Sequence, residues 1–471
     1  MKRYKKMSEV LSNATVFLVA ILLVFSWAMP VQANGPIGSN QPLQDEPPPS
    51  PTVEAAGEET LQAPANELTA APTITIWYEN DLRFGQIGNP QTQINILGNV
   101  SDPDSGGSVT SLSYRLNNGP SNPLTIGPNS DRLANRGDFN VAINTSALAN
   151  GANTVIITAV DNTGASRSKT VTFNYTRGRT WPQSYNTYWG NGAINDQAQV
   201  VDGLWQVTPQ GVRPQQVGYD RLIAIGDVGW RNYEVVVPIT VHQFYPNGSD
   251  AGGVGIIARW QGHLGSSQPP SNWYQIGAYA YYSNRIERLT LRLNETSPTN
   301  TQTYPFELNT TYIFKLRAET VGSAGRYSFK IWEQGQPEPA WSDSRFSSLV
   351  NVLDNNNDLL SGSVLLVAHR VDATFGNVAI CPIDASYPQV NVNVNGGGAV
   401  SISPNKGSYQ CGEDVVLTAT PADGWTFSGW TGDAVSNSTT ITVKMPSEAI
   451  TANFHQAVDQ NYKVYLPMIT R

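Results

Sequence analysis

The chain has 471 residues, more than one ordinary core accommodates, so about three domains are predicted. Its formal charge of -8 argues against nucleic acid as a partner, because phosphate binding needs a basic patch. The 41 Gly and 31 Pro residues, with only 14% charged residues, favour an all-β, multi-domain protein of strands and turns over a helical one.

The first 33 residues have the features of a secretory signal peptide. The basic start KRYKK precedes an apolar run from Ala14 to Met29, and Val31, Gln32 and Ala33 form a site that signal peptidase reads. The run is shorter than the roughly 20 residues of a spanning helix. We therefore expect cleavage, a mature chain without a transmembrane segment, and a secreted or cell-surface location. An uncleaved membrane anchor is the alternative.

Residues 34–72 are predicted to be a disordered, acidic, Pro-rich linker. They contain eight prolines and six acidic residues but no Lys or Arg. Such a composition buries too little apolar surface to fold, so the segment is expected to act as an extended spacer.

Residues 73–177 contain short β-rich runs separated by turn signals, which predicts a small sandwich. The loops SDPDSGG and AVDNTGAS resemble those of bacterial Ig-like and cadherin-like modules. This resemblance implies an Ig-like sandwich, although the Cys-Trp-Cys signature of classical Ig domains is absent. Asp102, Asp104 and Asp161 are candidate calcium ligands, because carboxylates suit that ion. The alternative is that they cap turns.

Residues 178–385 contain about ten further β-rich runs. In NYEVVVPITV the alternate positions Val235, Val237, Ile239 and Val241 are apolar, which is typical of a strand with one buried face. The order of NYEVVVPITV, GGVGIIARW and DATFGNVAI resembles the laminin-G/concanavalin-like jelly roll. That resemblance implies a sugar or protein ligand and calcium near a sheet edge. On this basis the candidate metal ligands are Asp220, Asp227 and Asp372.

Residues 386–456 resemble the internalin-type B-repeat of secreted bacterial proteins. The matching features are the run GEDVVLTATP, the motif GWTFSGW and the closing TANF. The resemblance implies a small β-rich module in which Trp425, Phe427 and Trp430 form the core. Residues 457–471 follow it as a C-terminal tail.

The chain has two cysteines, Cys381 and Cys411. They are too few and too far apart for a metal or redox motif. In an oxidising compartment they would form one disulfide that joins the jelly roll to the B-repeat-like module. Two unrelated buried thiols are the alternative.

No catalytic motif is evident. Paired carboxylates on one strand, as in jelly-roll glycosidases, are absent, and none of the four His residues lies in a hydrolase or metalloprotease motif. The protein is therefore predicted not to be an enzyme. A glycan-active hydrolase with an unrecognised site remains an alternative.

Aromatic side chains in the jelly-roll region favour sugar binding, because aromatic faces stack on the apolar faces of sugars. The candidate ligand-binding residues are Trp230, Arg259, Trp260, His263, Trp273, Tyr274 and Tyr279. The alternative is that several of these aromatics fill the core.

The leading hypothesis is non-catalytic carbohydrate binding or adhesion at the cell surface. The partner would be a polysaccharide or a surface glycoprotein, and calcium is the expected cofactor. A structural or protein-interaction component of the cell envelope is the alternative.

Overall fold

The computed structural model describes residues 70–248, 251–273, 276–293, 299–346, 350–353, 359–387, 389–447 and 449–457. The predicted signal peptide, most of the predicted linker and nearly all of the C-terminal tail lie outside these residues. The described part is built from β-strands with short 3-10 turns at Glu79–Asp81, Thr145–Ala147, Trp189–Asn191 and Ile194–Asp196. The prediction of an all-β, multi-sheet protein is confirmed. No described helix is long and apolar enough to cross a membrane.

The N-terminal sandwich consists of two antiparallel-rich sheets around one apolar core. Its strands are β1 (Thr73–Ile76), β2 (Arg83–Phe84), β3 (Gln93–Ser101), β4 (Val109–Leu116), β5 (Ser121–Pro123), β6 (Asp138–Asn144), β7 (Gly151–Asp161) and β8 (Ser166–Tyr175). One sheet has the order β1-β3-β6 and the other β2-β8-β7-β4-β5. Alternate residues of β7, such as Val155 and Ile157, are buried against Phe139 and Val141 of β6. The Ig-like identity of this sandwich stays a prediction.

The central sandwich contains the longest described strand, Tyr233–Phe244. Its strands are β9 (Tyr185–Asn186), β10 (Gln199–Asp202), β11 (Trp205–Thr208), β12 (Gly211–Pro214), β13 (Asp220–Ile225), β14 (Tyr233–Phe244), β15 (Gly253–Trp260), β16 (His263–Leu264), β17 (Asn272–Trp273), β18 (Ala278–Ser283), β19 (Arg288–Leu293), β20 (Thr299–Thr303), β21 (Thr311–Val321), β22 (Ala324–Glu333), β23 (Val350–Leu353), β24 (Ser363–His369), β25 (Val371–Phe375) and β26 (Ala379–Pro382).

Two large sheets pack face to face in this sandwich. The front sheet has the order β10-β13-β24-β15-β18-β19-β20, and the back sheet follows the path β11-β12-β25-β14-β21-β22-β23, with β26 and β9 joined to it. Val235, Val237, Ile239 and Val241 of β14 are fully buried in the core between them, as the alternation predicted.

The outer face of the back sheet is covered. Lys315 and Lys330 are buried there and pair with Glu338, while Glu234 contacts Lys315 at 3.2 Å. The Trp341 ring lies over the Lys330 ammonium, 4.1 Å from its centroid. The segment after β22 and the C-terminal module cover much of this face, whereas the outer face of the front sheet carries an open cleft.

The C-terminal module is a small β-fold that docks beside the back sheet. Its strands are β27 (Ser386–Tyr387), β28 (Val392–Asn395), β29 (Gly398–Ser403), β30 (Tyr409–Gln410), β31 (Asp414–Pro421), β32 (Trp425–Gly432), β33 (Thr440–Lys444) and β34 (Ile450–Gln456). Trp430 is buried in its core, and Trp425 and Phe427 pack partly buried against that core.

A disulfide joins the central sandwich to this module. Cys381 of β26 and Cys411 are bonded, with a Cα–Cα distance of 6.0 Å, and both are buried. The Asn186 side chain also donates to the Lys444 carbonyl at 2.8 Å. The module is therefore tied to the back sheet by a covalent bond and by polar contacts.

The N-terminal sandwich docks on the front-sheet side through a buried polar cluster. The Arg132 guanidinium pairs with the Asp202 carboxylate at 2.9 Å, and both side chains are buried. Asn140 donates to the same carboxylate at 3.0 Å. Burial raises the pKa of the Asp202 carboxyl, whereas the Arg132 charge opposes that shift. A buried charge that loses its partner is costly, so this pair fixes how the two sandwiches meet.

Candidate functional site

The front cleft is a cavity of about 340 Å³ on the outer face of the front sheet. Its floor follows from the strand register, because directly paired residues of antiparallel strands share a face. Three rows of directly paired residues cross the floor. The first row contains Asp220, His369, Gly253 and Ser283, and the second contains Leu222, Val367, Gly255 and Tyr281. The third row contains Ala224, Leu365, Ile257, Tyr279 and Arg292. Side chains far apart in the chain are thereby brought onto one surface.

Two tyrosines on β18 form an aromatic pair on this floor. Tyr279 and Tyr281 are two residues apart on one strand face, and their half-buried rings stack with centroids 4.2 Å apart and an interplanar angle of 16°. The adjacent strand places Gly253 and Gly255 beside them. A side chain at Gly255 would meet the Ala280 carbonyl at 2.2 Å, so this part of the floor has to be bare backbone. The result is a flat aromatic surface beside a shallow trough.

The β16–β17 hairpin forms one wall of the cleft. His263 pairs with Trp273 in register, and their ring centroids are 4.6 Å apart. Trp273 is half-buried and lines the cleft, while Ile276 is buried just behind it. Burial lowers the pKa of the His263 imidazole well below its usual range, and the nearby Arg132 charge adds to this shift. A neutral His263 therefore supports the Trp273 ring as an aromatic packing partner.

The N-terminal sandwich holds this hairpin from outside. The Gln268 side chain makes two hydrogen bonds to the Ala142 backbone, accepting from the amide at 3.3 Å and donating to the carbonyl at 3.1 Å. The Thr125 amide donates to the Gln268 carbonyl at 3.0 Å, and Arg132 donates to the Pro270 carbonyl at 2.6 Å. The position of Trp273 therefore depends on contacts with the neighbouring sandwich.

Polar side chains lie at the two ends of the cleft. At one end the His369 Nδ1 is 2.8 Å from an Asp220 carboxylate oxygen, and the Tyr219 ring meets the imidazole edge-on at 4.7 Å. At the other end is Arg292, opposite Tyr279 on the neighbouring strand. Such fixed polar groups beside an aromatic floor are able to orient a sugar by its hydroxyl or charged substituents.

Four of the predicted ligand-binding residues are buried and belong to the interior. Trp230 packs in the core between the two large sheets, Trp260 is fully buried beneath the hairpin wall, and His263 is almost fully buried within the hairpin. Arg259 is fully buried. The burial of these four side chains gives no support to the prediction that they contact a ligand.

A bulge in β15 decides which faces of the strand Arg259 and Trp260 occupy. The register shifts between Ala258 and Trp260, and Arg259 has a φ of 56°. Trp260 therefore leaves the inner face used by Val254 and Ile256 and packs on the outer face. The Arg259 guanidinium turns inward instead, donating to the Leu359 carbonyl at 2.8 Å and lying over the Tyr327 ring.

Trp273 and Tyr279 do line the front cleft, and Tyr274 lies outside the described residues. The sequence analysis did not single out Tyr281, His369 or Arg292 as ligand-binding residues. The alternation of Tyr279 and Tyr281 beside a glycine-rich strand was the available signal for Tyr281. His369 and Arg292 had no such signal, because their places in the cleft depend on strand pairing.

The three candidate calcium ligands of the N-terminal sandwich make protein contacts. An Asp102 oxygen accepts from the Asp104 amide at 3.0 Å, and Asp104 accepts from the Ala70 amide. Asp161 caps its own turn by accepting from Thr163 and Ala165. Burial raises the pKa of the Asp161 carboxyl, but these hydrogen bonds outweigh it and lower the pKa. The turn-capping alternative accounts for these contacts.

The other three candidates are also engaged. Asp220 pairs with His369, Asp227 accepts from the Gly229 amide at 2.9 Å, and Asp372 forms a close ion pair with Arg213. Across the residues that the structure describes, no three His, Cys, Asp or Glu side chains converge as a metal site would require. Calcium usually takes six to eight oxygen ligands, so these aspartates do not fit a shared ion, and calcium binding stays a prediction.

Three solved structures are similar to parts of the chain. The VIP36 exoplasmic/lumenal domain in its Ca2+/Man3GlcNAc-bound form is 9% identical, with 42% of this chain and 89% of that chain covered and a TM-score of 0.30. The legume lectin-like domain from Entamoeba histolytica is 8% identical, with 40% and 92% covered and a TM-score of 0.28. Carbohydrate-binding modules from the β-sandwich superfamily are 10% identical, with 67% and 98% covered and a TM-score of 0.17. Scores this low carry no functional argument.

No curated protein matches the sequence. Residues 389–458 match the family described as a divergent InlB B-repeat domain, which confirms the resemblance of the C-terminal module to internalin-type B-repeats.

Proposed function

We propose that this protein binds carbohydrate without catalysis, through the front cleft of its central sandwich. The observation that carries the proposal is the stacked pair of Tyr279 and Tyr281 on an open sheet face, with Trp273 as the adjoining wall. Flat aromatic faces pack against the apolar CH faces of sugar rings, and a few fixed polar groups then orient the hydroxyls.

The acid content of the cleft favours binding over hydrolysis. Glycoside hydrolases use two carboxyl groups, one as acid and one as nucleophile or base. Among the described residues that line the front cleft, Asp220 is the one acidic side chain, and it is hydrogen-bonded to His369. The site as described therefore supports recognition of a sugar better than cleavage of a glycosidic bond.

We further propose that the protein acts outside the cytoplasm, in adhesion to a polysaccharide or a surface glycoprotein. The disulfide between Cys381 and Cys411 supports this location, because such bonds persist in oxidising compartments. The predicted signal peptide leads to the same expectation. Calcium stays a prediction for this chain and is not required by the proposed contacts.

The proposal is tested by affinity electrophoresis of the mature chain in gels that contain neutral or acidic polysaccharides. Tyr281→Ala and Trp273→Ala should each weaken retention by about tenfold, since each removes one stacking surface. Tyr245→Ala is the matched control, because Tyr245 is an exposed tyrosine of the same sandwich outside the cleft. Retention by the control should equal that of the unaltered chain.

Two results would contradict the proposal. Failure of the unaltered chain to bind any polysaccharide would favour a structural role in the envelope. Release of reducing ends or unsaturated sugars during incubation would show that the cleft is catalytic. Melting curves of each variant separate lost binding from lost folding.

A further inference from the structure

Arg292 brings a positive charge into the front cleft. It lies on β19 directly opposite Tyr279, so its side chain shares the outer face with the aromatic pair. Arg292 is half-buried and lines the cleft. Within the part of the chain that the structure describes, no ion pair neutralises it. A partly desolvated arginine beside an aromatic surface is suited to an anionic ligand group.

The acidic end of the cleft is too distant to neutralise Arg292. Four strand spacings separate β13, which carries Asp220, from β19. At ~4.8 Å per spacing the two strands are about 20 Å apart, and the two residues are also offset along the strand direction. The screening length at physiological salt is ~8 Å, so the Asp220 carboxylate contributes little at Arg292. Asp220 is also hydrogen-bonded to His369.

We propose that the front cleft selects acidic saccharides and that Arg292 is the residue that determines this specificity. This inference rests on the proposed function. The anionic group, a uronic acid carboxylate or a sulfate ester, would accept hydrogen bonds from the guanidinium fork, while the sugar ring packs on Tyr279 or Tyr281. Arginine suits this role because its planar donors bind such oxyanions in pairs.

The charge of the whole chain makes the inference testable. At a formal charge of -8 the protein does not attract polyanions over long distances. Retention of an acidic polysaccharide would therefore report a local contact and not general charge attraction. The strand β19 also offers a matched control in Arg288, which is exposed, donates to the Thr301 hydroxyl at 3.1 Å and does not line the cleft.

The experiment measures the affinity of the mature chain for two pairs of polymers. The first pair is polygalacturonate and the same polymer after reduction of its carboxyl groups, and the second pair is dextran sulfate and dextran. The unaltered chain should prefer one acidic polymer over its neutral counterpart. Arg292→Gln should lower that affinity by about tenfold or more while leaving the affinity for the neutral polymer unchanged. Arg288→Gln should change neither by more than about twofold. Circular dichroism confirms that both variants fold.

The outcomes separate this inference from the proposed function. Preference for polygalacturonate identifies a carboxylate as the bound group, and preference for dextran sulfate identifies a sulfate. Equal binding of acidic and neutral polymers, unaffected by Arg292→Gln, would overturn the inference and leave carbohydrate binding intact. An equal loss in Arg288→Gln would overturn it as well, because the effect would then be one of general charge. Binding of no polysaccharide would overturn both.

Discussion

The hydrogen bonds of Gln268 predict that the N-terminal sandwich controls the wall of the front cleft. Replacing Gln268 by alanine removes both side-chain bonds to the Ala142 backbone but leaves the Thr125 contact, which uses the Gln268 carbonyl. Each lost hydrogen bond contributes about 1 kcal/mol net, so the docked conformation of the hairpin is destabilised by about 2 kcal/mol. If these ~2 kcal/mol stabilise only the hairpin conformation that binds the ligand, the fraction of molecules in that conformation would fall by up to about 30-fold.

Hydrogen exchange measures this effect without any ligand. In the Gln268→Ala variant, the amides of residues 263–273 should exchange up to about 30-fold faster, while those of β14 keep their protection. Affinity for a polysaccharide should fall by the same factor or less, because the hairpin carries Trp273.

Gln86→Ala is the control that weakens the contact between the N-terminal region and the central sandwich without touching the hairpin. Gln86 is also a partly buried glutamine of the N-terminal region, and its side chain donates to the Asn195 carbonyl at 2.8 Å away from the hairpin. This variant should leave exchange at residues 263–273 unchanged. Equal exchange in the Gln268→Ala variant and the unaltered chain would refute the reasoning, as would an equal increase in both variants.

The remaining predictions concern stability. Replacing both Cys381 and Cys411 by serine should cost the C-terminal module about 3–4 kcal/mol, because the bond closes a sequence separation of 30 residues; denaturant unfolding checks this, and an unchanged midpoint would mean that docking alone holds the module. Millimolar calcium should raise the melting temperature relative to chelator if the aspartates bind the ion, since a ligand of the native state stabilises it. Coincident melting curves would remove calcium from the account.

Local sequence pattern determined the strands and their faces where the alternation was regular. Val235, Val237 and Ile239 of β14 are buried as the period of two predicted, because successive side chains of a strand point to opposite faces. The C-terminal module was likewise recognisable, since its motif residues lie within about 70 residues of one another. The local pattern does not reveal the bulge at Arg259, after which Trp260 lies on the outer face of the strand.

The site itself was decided by the tertiary structure. Asp220 lies beside His369, which is 149 residues away in the chain, and Arg292 lies opposite Tyr279, because strand order and register placed them so. Trp260 is buried because Trp273 of the hairpin and residues of distant strands, such as Val201 and Leu365, pack against it. Sequence sets which residues a strand presents on each face, whereas packing between distant segments decides which of those faces stays open to a ligand.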